Sequence, residues 1–260
     1  MVDARYFGDG LTNLNPSDLK GKLIAIEGTD GVGRSTHIEM LQEWLEVQGY
    51  GVLTTGWTRS NLMSKTIEMA KEGNILDRWS FSLLYATDFA DRLEHEIIPA
   101  LRSGFIVLAD RYIYTAFARD FVRSGNRQWV RDVFGFALVP DLVCYLRIDI
   151  ETLVLRVIET KGMNFWESGM DLRLGSDLYD SFKKYQSLLI EEFDKMAEEF
   201  HFEVIDARKS PDEIQDALRS KIQPLLTTNL RSPELPSDRL IQPARFLEID
   251  LACQECRGVH

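Results

Sequence analysis

The sequence has little cysteine and no long apolar run, and each absence narrows what the protein can be. Three cysteines, Cys144, Cys253 and Cys256, stand among 260 residues. They are too few for a disulfide framework, so we expect a reducing, cytoplasmic setting. No run of about eighteen apolar residues occurs, which argues against a membrane-spanning helix. The N-terminus also lacks the basic-then-apolar layout of a signal peptide.

Basic residues are in short supply as well. Lys and Arg number 30 against 41 Asp and Glu, which gives a formal net charge of -11. Such a chain has no basic excess with which to neutralise nucleic acid or an anionic membrane, and we expect neither as a partner. A small phosphate site needs only a few Arg or Lys and stays compatible with this charge.

Short apolar runs alternate with helical patterns along the chain. The runs predict strands at 23–26, 52–55, 105–109, 142–146 and 202–205. A first helix follows the glycines, with Ile38, Leu41 and Leu45 on one face and Gly49 as its stop, and further helical patterns lie at about 79–102 (broken or kinked near Pro99), 113–137, 151–160, 175–199 and 211–226. Because the strands lack in/out alternation, they indicate an α/β fold with a central five-stranded parallel sheet flanked by helices on both faces. We predict an N-terminal extension at 1–21, one domain at 22–226 and an irregular C-terminal tail at 227–260.

A glycine-rich loop, IEGTDGVGRST, follows the first predicted strand and precedes a helix. It has the spacing G-x-x-x-x-G-K-[ST], with Arg34 in place of the lysine. In this context backbone N–H groups and the helix N-terminus cradle phosphates, and Ser35 reaches Mg²⁺. The predicted ATP-binding residues are Gly28, Asp30, Gly31, Val32, Gly33, Arg34, Ser35 and Thr36. The alternative is a glycine-rich turn that binds nothing. Arginine keeps the charge but is wider than lysine, so phosphate affinity can survive while the geometry of phosphoryl transfer is a separate matter.

Three later segments share motifs with one family. They are IIPALRSGFIVLADRYIYTAFA at 97–118, PDLVCYLRID at 140–149 and VIDARKSPDEI at 204–214. Together with the loop, in this order, they resemble the thymidylate kinase family, whose members make dTDP from dTMP and ATP. The resemblance covers about 22–226. It implies a three-layer sandwich of the P-loop NTPase type, ATP as co-substrate, Mg²⁺ as cofactor, dTMP as acceptor and a homodimer.

The resemblance also assigns roles to individual residues. Asp30 would bond the 3′-hydroxyl of the acceptor sugar, although it could instead cap a local turn. Asp110 would join Ser35 at the magnesium ion through a water, and Arg111 would hold the acceptor phosphate. An adjacent Asp-Arg pair could also be a plain surface pair, but the carboxyl end of a parallel strand faces the usual ligand crevice. Arg34, Asp110 and Arg111 are therefore the predicted catalytic residues.

Other acceptor-side residues follow with alternatives left open. Arg59 stands near the family's second phosphate-binding arginine, or is a solvated charge. Tyr85 stands where the family stacks an aromatic ring on the base, or belongs to the core. Tyr112 and Thr115 would line the sugar side.

Departures from the family pattern concern arginines. Phe89 occupies the slot of the arginine that reads the thymine edge; Arg92, three residues on, could reach over or be a surface charge. The family also needs an arginine near the transferred phosphoryl group. Position 31 is glycine, so the lid segment (161–173) would supply Lys161 or Arg173, or Arg34 itself would serve.

Two functions remain open at this stage. The first is a nucleoside-monophosphate kinase that acts on dTMP or a related deoxynucleotide. The second is a catalytically weakened nucleotide-binding protein that acts as a sensor or as a partner subunit. Separately, Cys253, Cys256 and His260 resemble half a zinc site, or are ordinary residues of the tail.

Overall fold

The computed structural model describes residues 6–11, 14–73, 78–160 and 162–226. Its strands form one sheet with the order β2-β3-β1-β4-β5, and every pairing is parallel. The strands are β1 (Lys22–Glu27), β2 (Val52–Gly56), β3 (Ile106–Asp110), β4 (Leu142–Arg147) and β5 (Glu203–Asp206). The predicted five-stranded parallel sheet is confirmed. The third strand is shifted by one residue from the predicted 105–109, and Asp110 is its last residue.

Helices cover both faces of this sheet. In the described part of the chain they are α1 (Arg34–Val47), α2 (Ser64–Gly73), α3 (Arg78–Arg92), α4 (Ile98–Arg102), α5 (Ile113–Ser124), α6 (Arg127–Val133), α7 (Ile150–Thr160), α8 (Leu178–Glu199) and α9 (Pro211–Leu226). Alternate residues of β1 enter two separate cores: Leu23 and Ala25 face one, Ile24 and Ile26 the other. Both sheet faces are thus buried, which explains why the strands read as continuous apolar runs. The three-layer architecture is confirmed.

Two long predicted helices are interrupted. The segment predicted at 79–102 consists of α3, a π-helical turn (Leu93–Ile97) and α4, with Pro99 just inside α4. The segment predicted at 113–137 breaks at Gly125, whose φ of 69° ends α5 in the left-handed region. The side chain of Asn126 then caps α6 by accepting the N–H of Trp129 at 3.1 Å. Helix α2 carries a mostly polar sequence and was not predicted.

The described part of the predicted N-terminal extension packs on the domain. The N–H of Phe7 donates to Ala137 O at 3.1 Å, and that of Gly8 donates to Gly135 O at 2.8 Å. The Phe7 ring makes edge contacts with Tyr114 and Phe117. The predicted C-terminal tail, with Cys253, Cys256 and His260, lies outside the described residues. None of the helices described here combines the length and apolar character that a membrane span requires.

Candidate active site

The glycine loop and the Asp110-Arg111 pair meet at the carboxyl ends of two adjacent strands. β1 and β3 are neighbours with Ile26 opposite Asp110, and the N–H of Arg111 donates to Ile26 O at 3.1 Å. The loop leaves β1 directly beside this point. In open parallel sheets this edge is where ligands bind. Residues that lie far apart in the sequence therefore form one site.

Glycines in the loop are required by its backbone and by its packing. Gly33 precedes α1 with φ 101°, a conformation that L-side chains rarely adopt. Gly31 has φ 84°, and a Cβ there would lie 2.4 Å from a methyl carbon of Val157. A side chain at position 31 would therefore be strained by this backbone conformation and would require the Val157 side chain to move. The position favours glycine.

Arg34 lies inside the loop and is nearly buried, with 8% of its side chain exposed. Its Nε donates to Asp110 Oδ1 at 2.9 Å, and its Nη1 donates to the carbonyl oxygens of Gly28, at 2.6 Å, and Thr29. A planar guanidinium can satisfy a carboxylate and two carbonyls from different edges at once. The charge of Arg34 is thus held at the phosphate loop and balanced by Asp110.

Asp110 links the loop arginine to the predicted magnesium ligand Ser35. The Ser35 hydroxyl donates to Asp110 Oδ2 at 2.9 Å. Burial would raise the pKa of Asp110, but the charge and hydrogen bond of Arg34, the charge of Arg111 and the Ser35 hydroxyl outweigh it and hold that pKa below its ordinary value. Asp110 therefore stays ionised.

Ser35 and Asp110 fit a hydrated magnesium ion. Mg²⁺ prefers oxygen ligands and keeps several waters, so one hydroxyl and one carboxylate beside a phosphate site suit it. Among the described residues there is no group of three or more His, Cys, Asp or Glu that could enclose a metal. The donor set thus favours an ion shared with a phosphate ligand over a closed protein cage.

Asp30 is buried, with 2% exposed, and is flanked by two arginines. Arg111 Nη2 donates to Oδ1, Arg119 Nη2 donates to Oδ1 at 2.9 Å and to Oδ2 at 2.7 Å, and Gln186 Nε2 lies 3.4 Å from Oδ2. Burial and the nearby charge of Arg34 lower the pKa of Arg111 to about 10. Asp30 is thus the counterion that places both guanidinium groups.

Arg111 itself has a strained backbone and an unsatisfied donor. Its φ is 67°, in the left-handed region. Its Nε is buried and has no hydrogen-bond partner among the described residues. A buried guanidinium N–H without an acceptor is costly, which indicates that a ligand oxygen completes it. An anionic group such as a phosphate suits this position.

Glu27 fixes the segment that carries Arg111 and was missed by the sequence reasoning. It is fully buried at the end of β1. Its Oε1 accepts the N–H groups of Tyr112 at 2.8 Å and Thr115 at 3.3 Å, and its Oε2 accepts the Thr115 hydroxyl at 2.6 Å. The available signal was a lone carboxylate at the end of an apolar strand. Burial raises the pKa of Glu27 to about 7, against the lowering effect of these hydrogen bonds.

This raised pKa makes stability depend on pH. The folded-state pKa of about 7 lies above the ordinary value of 4.5, so the folded protein binds the proton more tightly between these values. Protonated Glu27 therefore adds to the free energy of unfolding. This contribution is complete below about pH 4.5 and is lost as pH rises through about 7. We expect Glu27→Gln, which cannot titrate, to remove about 3 kcal/mol of this pH dependence, at about 1.4 kcal/mol per pKa unit. Denaturant unfolding of wild type and variant at several pH values between about 4.5 and 8 measures it. Glu199→Gln serves as the surface control. If the free energy of unfolding depends on pH in Glu27→Gln as it does in wild type, the expectation is contradicted.

A cavity of about 410 Å³ opens beside Asp30 and Arg111. It lies between α3 and α5, whose contributions include Tyr85 and Thr115, and is bounded by residues 164–167 of the lid segment. Trp166 of that segment stacks on Phe81 of α3 with ring centroids 5.5 Å apart and planes at 8°. Residues 164–167 therefore form one wall of this cavity and contact α3 through aromatic stacking. Tyr85 and Thr115, both predicted on the acceptor side, are brought together here.

Two other predicted acceptor residues lie outside the cavity wall. Arg59 is exposed at the carboxyl end of β2, with its guanidinium beside Gly56. Tyr112 was expected to line the sugar side, and the structure corrects this. Its ring is buried against Phe89, and its hydroxyl donates to Leu138 O at 2.9 Å. That hydrogen bond holds the ring in the core.

Phe89 and Arg92 also belong to the core. Phe89 is fully buried and packs against the Trp57 ring. Arg92 is 2% exposed, and it donates to Asp88 at 3.1 Å and to Thr55 at 3.1 Å. Asp88, one turn earlier on α3, is itself fully buried and needs this counterion. Arg92 therefore neither reaches the cavity nor lies on the surface, which corrects both sequence-based alternatives.

The lid candidates supply no cation to the cavity wall as described. Arg173 is exposed and lies outside that wall, and Lys161 lies outside the described residues. Instead, Arg119 and Arg123 of α5 line the cavity. Arg123 Nε donates to Asp171 at 2.9 Å and its Nη1 donates to the Tyr185 hydroxyl at 2.6 Å. The sequence does carry a signal for Arg119 and Arg123: they follow Thr115 at intervals of four residues, which places all three residues on one helix face.

Comparison with known proteins identifies similar sequences over most of the chain. Residues 26–218 match the family model for thymidylate kinase. The chain is 39% identical over 203 residues to "Probable thymidylate kinase 2" of Saccharolobus solfataricus, covering 77% of this chain and 95% of the relative. It is 31% identical to "Probable thymidylate kinase" of Methanosarcina acetivorans, over 78% of this chain and 96% of the relative. It is 30% identical to "Probable thymidylate kinase" of Thermococcus gammatolerans, over 75% of this chain and 92% of the relative.

Proposed function

The chain belongs to the thymidylate kinase family, and we propose from this premise that it transfers the γ-phosphoryl group of ATP to dTMP. It is an ATP-dependent nucleoside-monophosphate kinase, a transferase of nucleotide biosynthesis. The observation that carries the proposal at the level of residues is the convergence of the Arg34–Asp110–Ser35 contacts with the Asp30–Arg111 pair at one sheet edge.

ATP lies with its phosphates on the glycine loop, where Arg34 takes the place of the usual lysine. The N-terminus of α1 and the loop N–H groups hold the phosphate oxygens. Arg34 engages Asp110 through Nε and the Gly28 and Thr29 carbonyls through Nη1, so its Nη2, which has no partner among the described residues, points donors at ATP. Ser35 and, through a water, Asp110 would hold Mg²⁺, which would supply neutralisation of phosphate charge.

dTMP lies in the cavity with its phosphate on Arg111. The unsatisfied Nε of Arg111 offers the donor. Tyr85 provides a stacking surface for the base, and Trp57 and Phe134 form apolar wall beside it. No general base is required, because the acceptor phosphate oxygen is already a nucleophile. Positioning and charge neutralisation therefore carry the reaction.

The lid segment excludes water from the reacting phosphates. Its residues 164–167 already border the cavity and contact α3 through Trp166 and Phe81. An open site would let water consume ATP. A homodimer and a cytoplasmic setting complete the proposal. Family membership does not favour the alternative, a nucleotide-binding protein with little catalysis, over the kinase.

A coupled ADP-release assay tests the proposal. Purified protein with Mg-ATP is given dTMP, dUMP, dCMP, dGMP and dAMP in turn, with a reaction without acceptor as the blank. We expect turnover above the blank with dTMP as the best acceptor. ATP binding without any acceptor-dependent turnover would refute the kinase. Faster turnover with another monophosphate would refute dTMP as the acceptor and leave the kinase in place.

A further inference from the structure

One face of α5 follows the cavity from Arg111 outward. Thr115, Arg119 and Arg123 recur every four residues and all border the cavity. A helix places such residues one above the other, about 6 Å apart along its axis. Thr115 is held by Glu27. The two arginines beyond it differ in how many of their donors are used.

The hydrogen-bonding capacity of Asp30 is already filled by protein donors. A carboxylate offers about four acceptor positions on its two oxygens. Oδ1 accepts from Arg111 and Arg119, while Oδ2 accepts from Arg119 and lies in contact with Gln186. Because Asp30 is buried, solvent does not add to or replace these donors easily. A sugar hydroxyl that donated to Asp30 would have to displace one of them.

Arg119 has more unused donors than Arg123, which engages four of its five N–H groups. A guanidinium carries five N–H groups. In Arg123, Nε and Nη2 bind Asp171, and Nη1 binds the Tyr185 hydroxyl and Arg119 O. In Arg119 only Nη2 is engaged, by Asp30, so Nε and Nη1 have no partner among the described residues. Its side chain is 26% exposed, at the cavity wall.

Arg119 also stays charged. Burial would lower its pKa, but the charge of Asp30 and the nearby hydroxyls of Tyr185 and Tyr85 raise it above the ordinary arginine value. The three unused N–H groups therefore belong to a cation fixed beside Asp30. Such donors recognise an oxygen of a ligand.

We propose that Arg119 donates from Nε or Nη1 to the 3′-oxygen of the acceptor sugar, while Asp30 positions Arg119 and Arg111. The inference rests on the proposed function, which places a nucleoside 5′-monophosphate in this cavity with its phosphate on Arg111; Arg119 contacts the same carboxylate, Asp30, as Arg111 does, so its free donors face the sugar next to that phosphate. It makes Arg119 an acceptor-binding residue and gives Asp30 a positioning role. The 3′-hydroxyl is then read as a hydrogen-bond acceptor.

Pairing a residue change with a substrate change tests this contact. Arg119→Met keeps the length of the stem and removes the donors. kcat/KM is measured for dTMP and for 3′-deoxythymidine 5′-monophosphate, and dissociation constants for both nucleotides are measured by calorimetry. We expect wild type to prefer dTMP by about tenfold or more, the size of one hydrogen bond to a charged group. In Arg119→Met the preference should fall to about one.

Controls separate this contact from a general loss of binding. Arg131→Met removes an arginine on the surface of α6 that pairs with Glu199, and should keep the wild-type preference. Arg119→Gln keeps an amide donor for Asp30 and is used alongside; thermal melting shows that each variant is folded. A wild-type preference retained in Arg119→Met and Arg119→Gln overturns the proposal. An equal loss for both nucleotides also overturns it, since it places Arg119 on the phosphate or in a purely structural role.

The proposed function can fail separately. If wild type shows no turnover with dTMP, the kinase is refuted. The calorimetric ratio between the two nucleotides then decides the Arg119 contact by itself, and a ratio of about one in wild type overturns it.

Discussion

Arg34→Ala is expected to lower kcat by about a thousandfold or more, the range typical of an arginine that stabilises charge in phosphoryl transfer. The reason lies in its position: Arg34 is nearly buried inside the phosphate loop and contacts Asp110, Gly28 and Thr29. Under the proposed function, Arg34 both replaces the usual loop lysine and supplies a guanidinium near the transferred phosphoryl group. Single-turnover kinetics, with ATP affinity measured separately, give the effect on chemistry.

Arg34→Lys distinguishes a site built for arginine from one with a damaged lysine. Lysine has no planar edge, and its single nitrogen cannot serve Asp110 and both carbonyls with the same geometry. We expect kcat to fall by about tenfold, with a smaller change in ATP affinity, because a cation remains at the loop. Arg131→Ala serves as the surface control. A rate increase in Arg34→Lys would mean that the arginine is a defect, and unchanged turnover in Arg34→Ala would mean that Arg34 is a bystander.

Both proposed nucleotide sites are built from alternating charges that are paired with each other in the structure. Arg34 pairs with Asp110, and Asp30 pairs with Arg111 and Arg119. Each pairing fixes a long side chain in place, which lowers the cost of ordering it when a phosphate binds. Each arginine must also keep a donor for the ligand, and Arg111 and Arg119 both do. The site is thus preorganised by its own counterions.

The sequence predicts the sheet and the phosphate side of the site because local rules suffice there. The loop is a contiguous motif, and Asp110 follows an apolar run whose carboxyl end must lie at the ligand edge of a parallel sheet. Arg92 could not be placed in this way. Its partner Asp88 is visible one turn earlier, but burial of the pair depends on how α3 packs against the sheet.

The acceptor side depends on tertiary packing and is where sequence reasoning falls short. The four-residue spacing of Thr115, Arg119 and Arg123 is visible in the sequence, but not which face of α5 points to the cavity. Gly125 ends α5, and the long helix predicted there obscured this boundary. Tyr112 is adjacent to Arg111, yet its ring turns into the core because Leu138 O accepts its hydroxyl. Neighbours in sequence therefore need not share a role.

Asp110→Asn is expected to lower turnover by about 10–100-fold and to raise the Mg²⁺ concentration that gives the half-maximal rate by a similar factor, the range typical of changing an outer partner of a bound metal. Asparagine keeps the shape and can accept from Ser35, but it removes the charge that Mg²⁺ and Arg34 both use. Arg34 then keeps only the two loop carbonyls as partners, and a nearly buried cation without a counterion costs stability. We therefore also expect a lower melting temperature.

Magnesium titrations of the rate at saturating ATP and dTMP measure this effect for wild type, Asp110→Asn and the surface control Asp132→Asn, whose carboxylate accepts from Gln128 on the same helix. The decisive quantity is the metal concentration at half-maximal rate. If Asp110→Asn lost turnover at an unchanged metal concentration, Asp110 would act on Arg34 alone. A shift in that concentration with a matching loss of rate places the carboxylate at the metal, because only a group that contributes to the ion's binding moves both. The lowered pKa of Asp110 predicts the same dependence on charge, since its ionised form is favoured by Arg34, Arg111 and Ser35 against the effect of burial.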